Sequence, residues 1–241
     1  MPGFVDLHCH WVARIDDGAP SVAAGLEMLA ALSQLGFDRV IATPHMRPGL
    51  FDNTREDLVS AYESMLPDLA GRAGLPEVGL ASEHYFDDVV FRRILDGQAV
   101  PYPENHAILL EFYEVGFPIT VEQRLSDLLG RRMLPVIAHP ERYHALWKDA
   151  APFERIVDMG CAALLDVAVF AGKYGKQPRR CAEQLLERGL YHAACSDAHR
   201  PEDVRAVAQG MKWVERHYGR DTLDYLFREG PLALLDGRLP D

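Results

Sequence analysis

The chain has 241 residues, of which 48% are hydrophobic and 25% are charged, and its formal net charge is −11. This length supports one sizeable core, so we expect a single domain over residues 1–241. An acidic chain disfavours nucleic acid as the main partner, although bound cations would still permit an anionic substrate.

The cysteines and the N-terminus indicate a cytoplasmic protein. Four cysteines are scattered along the chain, and we expect them to be reduced thiols. The first residues show neither a basic start nor an apolar signal region. No apolar run approaches the roughly 18 residues of a membrane span, so we expect no membrane insertion.

Short apolar runs alternate with longer amphipathic stretches along the chain. The runs predict seven strands buried on both faces, at residues 4–8, 39–43, 77–81, 107–111, 134–138, 162–167 and 191–196. The stretches predict helices at 22–35, 55–73, 87–95, 121–131, 152–159, 178–188, 202–217 and 221–227. We expect left-handed glycines after four helices, at Gly36, Gly130, Gly160 and Gly189. This alternation predicts a parallel sheet, closed as a (β/α) barrel or, as the alternative, open and doubly wound.

Six of the seven predicted strands end in a residue type that binds metal ions. In chain order these residues are His8 and His10, His45, Glu83, Glu111, His139, and Asp197 with His199. The C-terminal strand ends of such a barrel form one face, so we expect these side chains to converge there. Imidazoles and carboxylates without thiolates favour Zn, Mn or Fe, and this number of ligands could hold two or three ions.

The spacing of individual residues refines this picture. His8 and His10 lie two apart on a strand and point the same way, while Cys9 between them should pack in the core. Asp16 and Asp17 could form a loop turn before Gly18, but we favour Asp17 as a ligand. The other histidines we interpret as ordinary polar residues; they are His84, His106, His144, His192 and His217.

Arg142 follows His139 by three residues and offers a planar fork that suits phosphate. Arg47 and Arg200 are weaker candidates for substrate binding. Neither Cys9 nor Cys195 has the spacing to an arginine that a cysteine-based phosphatase needs. The serine-hydrolase elbow and the glycine-rich nucleotide loop are also absent from the sequence.

The ordered set of motifs resembles a known superfamily. The motifs are His8-x-His10, Asp16-Asp17-Gly18, Ala42-Thr43-Pro44-His45, Glu83, Glu111-Phe112, Ile137-Ala138-His139-Pro140-Glu141-Arg142 and Ser196-Asp197-Ala198-His199. They resemble the polymerase and histidinol phosphatase (PHP) superfamily, and their order and spacing are closest to bacterial capsule-type, metal-dependent protein tyrosine phosphatases. The resemblance implies a distorted seven-stranded, TIM-like β/α barrel and a role in exopolysaccharide or capsule regulation.

The resemblance also implies three divalent ions, with Mn expected first and Fe or Zn as alternatives. The implied ligands are His8, His10, Glu83 and Asp197 for the first ion, Glu83, Glu111 and His139 for the second, and Asp17, His45 and His199 for the third. A metal-bridged hydroxide would attack phosphorus and Arg142 would face the phosphate. His199, or a water on the third ion, could supply a proton where one is needed. The chain departs from the family pattern at Asp166, at Arg205 and at residues 22–25, which leaves the oligomeric state open.

Three functions compete on the sequence alone. The first is a phosphatase for a phosphotyrosyl protein, for example a bacterial tyrosine kinase. The second is a small-molecule phosphatase such as histidinol phosphatase, or a nuclease-like phosphodiesterase. The third is a non-catalytic metal-binding module that docks a kinase tail. The complete ligand set with Arg142 disfavours the third, and the acidic charge disfavours the nuclease.

Overall fold

The computed structural model describes residues 3–103 and 107–240. Its strands are β1 (Phe4–Cys9), β2 (Phe37–Ala42), β3 (His45–Met46), β4 (Glu77–Leu80), β5 (Glu83–Tyr85), β6 (Ala107–Glu111), β7 (Leu134–Ala138), β8 (Ala162–Asp166) and β9 (Ala193–Cys195). Its helices are α1 (Val22–Gln34), α2 (Arg55–Leu69), α3 (Asp88–Leu95), α4 (Val121–Gly130), α5 (Ala151–Asp158), α6 (Lys176–Glu187), α7 (Asp203–Tyr218), α8 (Arg220–Asp224) and α9 (Gly230–Leu235). Within this described part, no helix is long and apolar enough to cross a membrane.

All strand pairs are parallel and together they close a barrel. One sheet has the order β1-β2-β4 and the other β3-β5-β6-β7-β8-β9. The ring closes between β1 and the segment after β9, where His10 N–H donates to the Ala198 carbonyl at 2.9 Å and Asp197 N–H donates to the His8 carbonyl at 2.9 Å. The predicted closed barrel is therefore confirmed, and the open sheet is wrong.

The barrel ring has seven strand positions, each of which we call a stave. Two of the seven staves are interrupted and consist of two segments each, which accounts for the nine strand segments. The first stave is β2 followed by β3, and Pro44 at the break has no N–H to continue the ladder. The second stave is β4 followed by β5. Pairing is carried across both breaks because Glu83 N–H donates to the Pro44 carbonyl at 3.2 Å and the Ser82 hydroxyl donates to the same carbonyl at 2.8 Å.

Alternate residues of the strands enter two separate apolar layers, as a pleated strand requires. On β6, Ile108 and Leu110 join the larger cluster, which also contains helix residues and therefore fills the space between strands and helices. Leu109, with Val136 and Leu164 of the next strands, joins a smaller cluster of mainly strand residues in the barrel interior. Apolar packing thus holds the barrel from both sides and leaves its strand ends for polar side chains.

Two details of the helices differ from prediction. Gly130 is the last residue of α4, and the left-handed conformation falls on Arg132 (φ 61°), whose N–H donates to the Leu129 carbonyl at 2.9 Å. The predicted C-terminal helix is longer than expected, since a π-helical turn at Tyr225–Glu229 leads into α9. Leu234 of α9 joins the interior cluster, so this helix contributes to the core of the barrel.

Candidate metal centre

The first strand delivers two buried histidines to the barrel mouth. The Nε2 atoms of His8 and His10 lie 3.1 Å apart, and both residues are fully buried. Cys9 between them points away, donates its thiol to the Ala198 carbonyl and packs in the larger apolar cluster. The alternation predicted for these three residues is confirmed.

Glu83, the first residue of β5, lies at the centre of the cluster. Its Oε2 is 3.2 Å from His8 Nε2 and 3.1 Å from His45 Nδ1, and its Oε1 is 2.9 Å from His139 Nε2. One carboxylate therefore contacts imidazoles that follow three different strands. Such a bridging position is what a carboxylate shared between two cations requires.

Asp197 completes the inner cluster from the segment after β9. Its Oδ1 lies 3.3 Å from His8 Nε2 and 3.6 Å from His10 Nε2. Asp197 (φ 42°) and His139 (φ 33°) both have left-handed backbones, which are uncommon for residues other than glycine. Surrounding hydrogen bonds hold these two residues in a strained backbone conformation, as is typical of functional sites.

A second, more exposed cluster joins the first at the mouth. Asp17 Oδ1 lies 3.4 Å from His45 Nε2 and 3.5 Å from His199 Nε2, and the Asp17 side chain is 56% exposed. Gly18 allows this loop to approach the barrel, because a Cβ at that position would lie 2.2 Å from the His10 carbonyl oxygen. His199 reaches back to the inner cluster, with its Nδ1 3.7 Å from Asp197 Oδ1.

Glu111 stands at the end of β6, on the side of the mouth towards Arg47. The Glu111 carboxylate lies close to the Glu83 carboxylate and the His45 imidazole, with one ligand atom of each residue within 4.8 Å of the others. Its Oε2 lies 3.6 Å from an Arg47 nitrogen.

The donor set fits divalent cations. Nitrogen and oxygen ligands bound at about 2.0–2.2 Å to one ion lie roughly 3 Å apart, which matches the spacings around Glu83 and Asp197. Among the described residues, five buried atoms of this set have no hydrogen-bond partner: His8 Nδ1, His45 Nδ1, Glu111 Oε2, His139 Nδ1 and Asp197 Oδ1. Buried carboxylate oxygens without donors are costly, and cations would satisfy them.

The mouth encloses a cavity of about 100 Å³ that carries two arginines on its rim. Its lining consists of Asp17, His45, Arg47, Glu83, Glu111, His139, Arg142, Asp197 and His199. Arg142 donates to Asp197 Oδ2 at 2.8 Å, stands 5.0 Å over the Tyr174 ring and keeps 19% of its side chain exposed. Arg200 is exposed and does not line the cavity, in contrast to Arg47.

Comparison with known proteins places this arrangement in a family. The family described as capsular polysaccharide synthesis, CpsB/CapC, matches residues 4–236. The chain belongs to the CpsB/CapC family. The predicted resemblance is therefore confirmed over nearly the whole chain.

Two named relatives of this CpsB/CapC protein are tyrosine-protein phosphatases. YwqE of Bacillus subtilis is 30% identical over 232 residues, covering 96% of this chain and 91% of the relative. CpsB of Streptococcus pneumoniae is 25% identical over 241 residues, covering 98% of this chain and 99% of the relative.

Solved structures agree with the sequence relatives. A chain from the crystal structures of YwqE and CpsB, described there as unique metal-dependent tyrosine phosphatases, superposes with a TM-score of 0.88 at 27% identity and covers 98% of this chain and 96% of its own. The phosphotriesterase homology protein of Escherichia coli shares only the fold, with a TM-score of 0.55 at 14% identity over 95% of this chain and 97% of its own.

The ionisation of the CpsB/CapC site suits cation binding. Burial raises the pKa of Glu83 and of Asp197, but the surrounding histidines and, for Asp197, also Arg142 together outweigh it, and both pKa values lie well below the ordinary range. Burial lowers the pKa of His10 and of His45, but nearby carboxylates, chiefly Asp16 and Glu83 respectively, outweigh it and raise both, so bound metal would displace protons there. Burial lowers the pKa of His139 and of His199 to about 4. Carboxylates and neutral imidazoles are the forms that bind metal ions. Glu111 differs, because burial and the Glu83 charge raise its pKa to about 7.

Sequence reasoning missed Asp16, whose buried carboxylate supports two of the histidines. Asp16 Oδ2 lies 2.8 Å from His10 Nδ1 and accepts the His45 backbone N–H at 3.0 Å. A carboxylate on the far nitrogen fixes the orientation of an imidazole ligand. The Asp-Asp-Gly motif carried the signal, but only Asp17 was interpreted as functional.

A buried shell behind Arg142 was also not predicted. Glu141 is fully buried, where its Oε1 accepts the Asp166 N–H at 3.0 Å and its Oε2 accepts the Tyr191 hydroxyl at 2.8 Å. Asp166 in turn caps the turn after β8 by accepting the Ala168 N–H at 2.9 Å. Arg205 is exposed on α7 and does not line the cavity.

Four of the five histidines interpreted as ordinary polar residues are described by the structure, and these four lie outside the cavity lining. His84 is buried with its Nδ1 2.9 Å from the Leu109 carbonyl oxygen, and its Nε2 accepts the Val100 N–H at 3.1 Å. His192 accepts the Ala163 N–H at 3.1 Å, and His217 Nδ1 lies 2.8 Å from the Trp213 carbonyl oxygen. The His144 and Trp147 rings lie 4.2 Å apart at an interplanar angle of 48°. His106 lies outside the described residues.

Proposed function

We propose that this CpsB/CapC-family protein is a metal-dependent protein tyrosine phosphatase. The observation that carries the proposal is the placement of buried imidazole–carboxylate clusters and the Arg142 guanidinium around one cavity. The activity named for YwqE and CpsB supports it. Its substrates would be phosphotyrosyl proteins, among which we include a bacterial tyrosine kinase, and the four free, buried cysteines support a cytoplasmic location.

We propose ligands for two to three divalent ions as the family resemblance implies them; the contacts of the cluster support these sets except that Glu111 groups with Glu83 and His45 and not with His139. The first set is His8, His10, Glu83 and Asp197, the second Glu83, Glu111 and His139, and the third Asp17, His45 and His199. The third set contacts the other two through His45, whose Nδ1 lies 3.1 Å from Glu83 Oε2. Hard oxygen donors mixed with imidazole favour Mn, with Fe or Zn as alternatives.

When bound, the ions supply the positive charge that makes water a nucleophile near neutral pH and that offsets negative charge on the phosphoryl group. The protein contributes the orientation of the substrate. One N–H of Arg142 donates to Asp197. A guanidinium has five N–H donors, so the remaining ones can hold phosphoryl oxygens at the rim. Arg47, on the opposite rim beside Glu111, can contact the same group.

His199 is proposed to ligate an ion and also to pass a proton to the leaving oxygen. It is half-buried at the mouth, where the leaving group would depart. The tyrosinate leaving group has a pKa of about 10 and needs less protonation than an alkoxide. The low pKa of His199 makes proton transfer the minor of its two roles.

The test compares three substrates after chelation and after metal is added back. We expect chelated protein to be inactive, and Mn to restore hydrolysis of a phosphotyrosyl peptide far above that of histidinol phosphate or a phosphodiester. Elemental analysis of the same preparations reports the bound ions.

Three results would contradict the proposal. Full activity in metal-free protein would remove the metal from the mechanism. Preference for histidinol phosphate or for the diester would show that phosphotyrosyl proteins are not the substrate class. Bound metal with no turnover of any of the three would favour the non-catalytic module.

A further inference from the structure

The cavity that holds the proposed ligands is too small for a whole phosphotyrosine side chain. It measures about 100 Å³, and the proposed ions would occupy part of that volume. Such a volume suits a phosphoryl group with little more. The aromatic ring and the peptide of a substrate must therefore lie outside it.

A much larger depression of about 780 Å³ opens beside this cavity, and Arg47 lines both. We name it the aromatic groove; its lining consists of Arg47, Pro48, Gly49, Leu50, Tyr85, Phe86, Asp87, Asp88, Val89, Phe112, Tyr113, Gly116, Phe117, Pro118, Thr120 and Arg124. These residues follow β3, β5 and β6, the strands that bear His45, Glu83 and Glu111. The groove is thus continuous with the rim from which a substrate ring would emerge.

Aromatic side chains form part of the wall of the aromatic groove; Tyr85, Phe86 and Phe112 among them are buried, whereas Leu50 and Tyr113 are exposed. The Tyr85 and Tyr113 rings meet edge to face with centroids 5.6 Å apart, and the Arg47 guanidinium lies 4.2 Å over the Tyr85 ring. Leu50 is 62% exposed and Tyr113 64%. Clustered exposed apolar side chains next to an active site are typical of ligand contact surfaces.

The charged residues of the aromatic groove are largely engaged within the protein. Arg124 pairs with Asp88, and Asp87 caps α3 by accepting the N–H groups of Val89 and Val90 at 2.8 Å. Arg47 lies near Glu111 at the cavity end. Beside these paired charges, the groove offers a ligand the aromatic and aliphatic surface of Leu50, Tyr85 and Tyr113, which favours apolar side chains.

We propose that the aromatic groove binds the tyrosyl ring and the apolar residues that flank it in a phosphotyrosyl peptide. The protein would then prefer phosphotyrosines with apolar neighbours to those with acidic ones. This inference rests on the proposed phosphatase function. It adds the sequence context of the substrate and the residues that select it.

The experiment uses Mn-loaded, full-length protein and two phosphotyrosyl peptides of equal length. One has leucine and valine on both sides of the phosphotyrosine, and the other has glutamate and serine. The measured quantity is the ratio of the two kcat/KM values. The same ratio is measured for binding, with peptides that carry a non-hydrolysable phosphonate. Because each ratio comes from one preparation, metal content and folded fraction cancel.

We expect wild-type protein to favour the apolar peptide about tenfold, the effect of covering one or two apolar side chains. Leu50→Ala and Tyr113→Ala should each bring the ratio close to two, whereas Tyr113→Phe should keep it. Val115→Ala is the matched control, since Val115 is 71% exposed in the same loop as Tyr113 but does not line the groove.

The outcomes separate this inference from the proposed function. A wild-type ratio near one, or a ratio that survives both alanine variants, overturns the groove assignment while leaving the phosphatase intact. Hydrolysis of histidinol phosphate but of neither peptide overturns both. Dimer dissociation in Leu50→Ala with an unchanged ratio would show that a second copy of the chain occupies the groove, and would also overturn the assignment.

Discussion

The metal cavity and the aromatic groove lie side by side and share Arg47, yet their side chains are held differently. In the cavity, Glu83 and Asp197 are buried and each contacts several imidazoles. In the groove, Leu50 and Tyr113 lie on loops and are mostly exposed. A substitution of a proposed metal ligand in the cavity should therefore alter chemistry and metal content together, whereas one in the groove should alter only the choice of substrate.

The largest effect is expected from Glu83→Gln, since Glu83 contacts His8, His45 and His139. Loss of one charge-stabilising group typically costs about 10²–10³ in rate, and this one is proposed to serve two ions, so turnover should fall by at least about 10³. Bound metal should fall with it, as elemental analysis would show. Glu77→Gln, at the exposed start of the same stave, is the control. Wild-type metal content in Glu83→Gln would remove Glu83 from the ligand set.

Arg142→Ala should separate catalysis from metal binding. A guanidinium donates no lone pair to a cation, so metal content should stay at the wild-type level. Turnover should fall by about 10²–10³, and Arg142→Lys should recover little because a point charge cannot replace the fork. Turnover and metal are measured on the same samples. Joint loss of both would make Arg142 a structural support of the loop after β7.

Asp16→Asn should produce a smaller effect on the same cavity. The amide cannot hold the His10 ring as the carboxylate does, and loss of such support typically costs about 10–100-fold in metal affinity or activity. Titration of metal-free protein with Mn measures the affinity. Asp127→Asn, on exposed α4, is the control. Equal Mn affinity in Asp16→Asn and wild type would show that Asp16 only shapes the loop.

The smallest effect concerns the shell behind the cavity, through Glu141→Gln. Burial and the Asp166 charge raise the pKa of Glu141 to about 8. The folded state therefore holds a proton that the unfolded chain releases from about pH 4.5 upwards. Wild-type stability should lose up to a few kcal/mol from this group as the pH rises to about 8, whereas glutamine has no proton to lose.

Urea unfolding between about pH 5 and pH 9 measures this difference. Relative to wild type, the free energy of unfolding of the variant should increase steadily as the pH rises through that range. The exposed Glu202→Gln is the control. Parallel pH curves for wild type and Glu141→Gln would show that Glu141 ionises normally in the fold.

Apolar run length was sufficient to predict the staves of the barrel, because buried parallel strands have few polar positions. The predicted and observed bounds of β6 and β7 are the same. The breaks before β3 and β5 were not predicted, since they depend on which carbonyl meets Glu83 across the sheet. Helix α9 was missed because Gly230-Pro231 resembles a breaker in sequence, whereas Pro231 occupies the first turn of the helix.

The candidate ligands could be predicted because strand ends of a parallel barrel must meet at one face. The structure brings all of them together, and their role as ligands stays a prediction. Glu141 was missed because its partners Asp166 and Tyr191 come from distant parts of the chain. Asp16 was missed because only the folded loop shows which of the two neighbouring aspartates reaches the far nitrogen of His10. The aromatic groove could not be predicted at all, since its walls come from three separate loops.

The interrupted staves have a consequence for how this barrel can vary. Strands β3 and β5 are displaced from β2 and β4, which precede them. At each break the chain leaves the hydrogen-bonded ladder and returns to it for a short segment that begins with His45 or with Glu83. The segments that follow are thereby released from the hydrogen-bonding register of the rest of the barrel. We expect these segments to tolerate changes in length and sequence. The hydrogen bond from Glu83 N–H to the Pro44 carbonyl keeps the reactive centre in place. A grafted segment from another member of the family should therefore transfer substrate preference without redesign of the barrel.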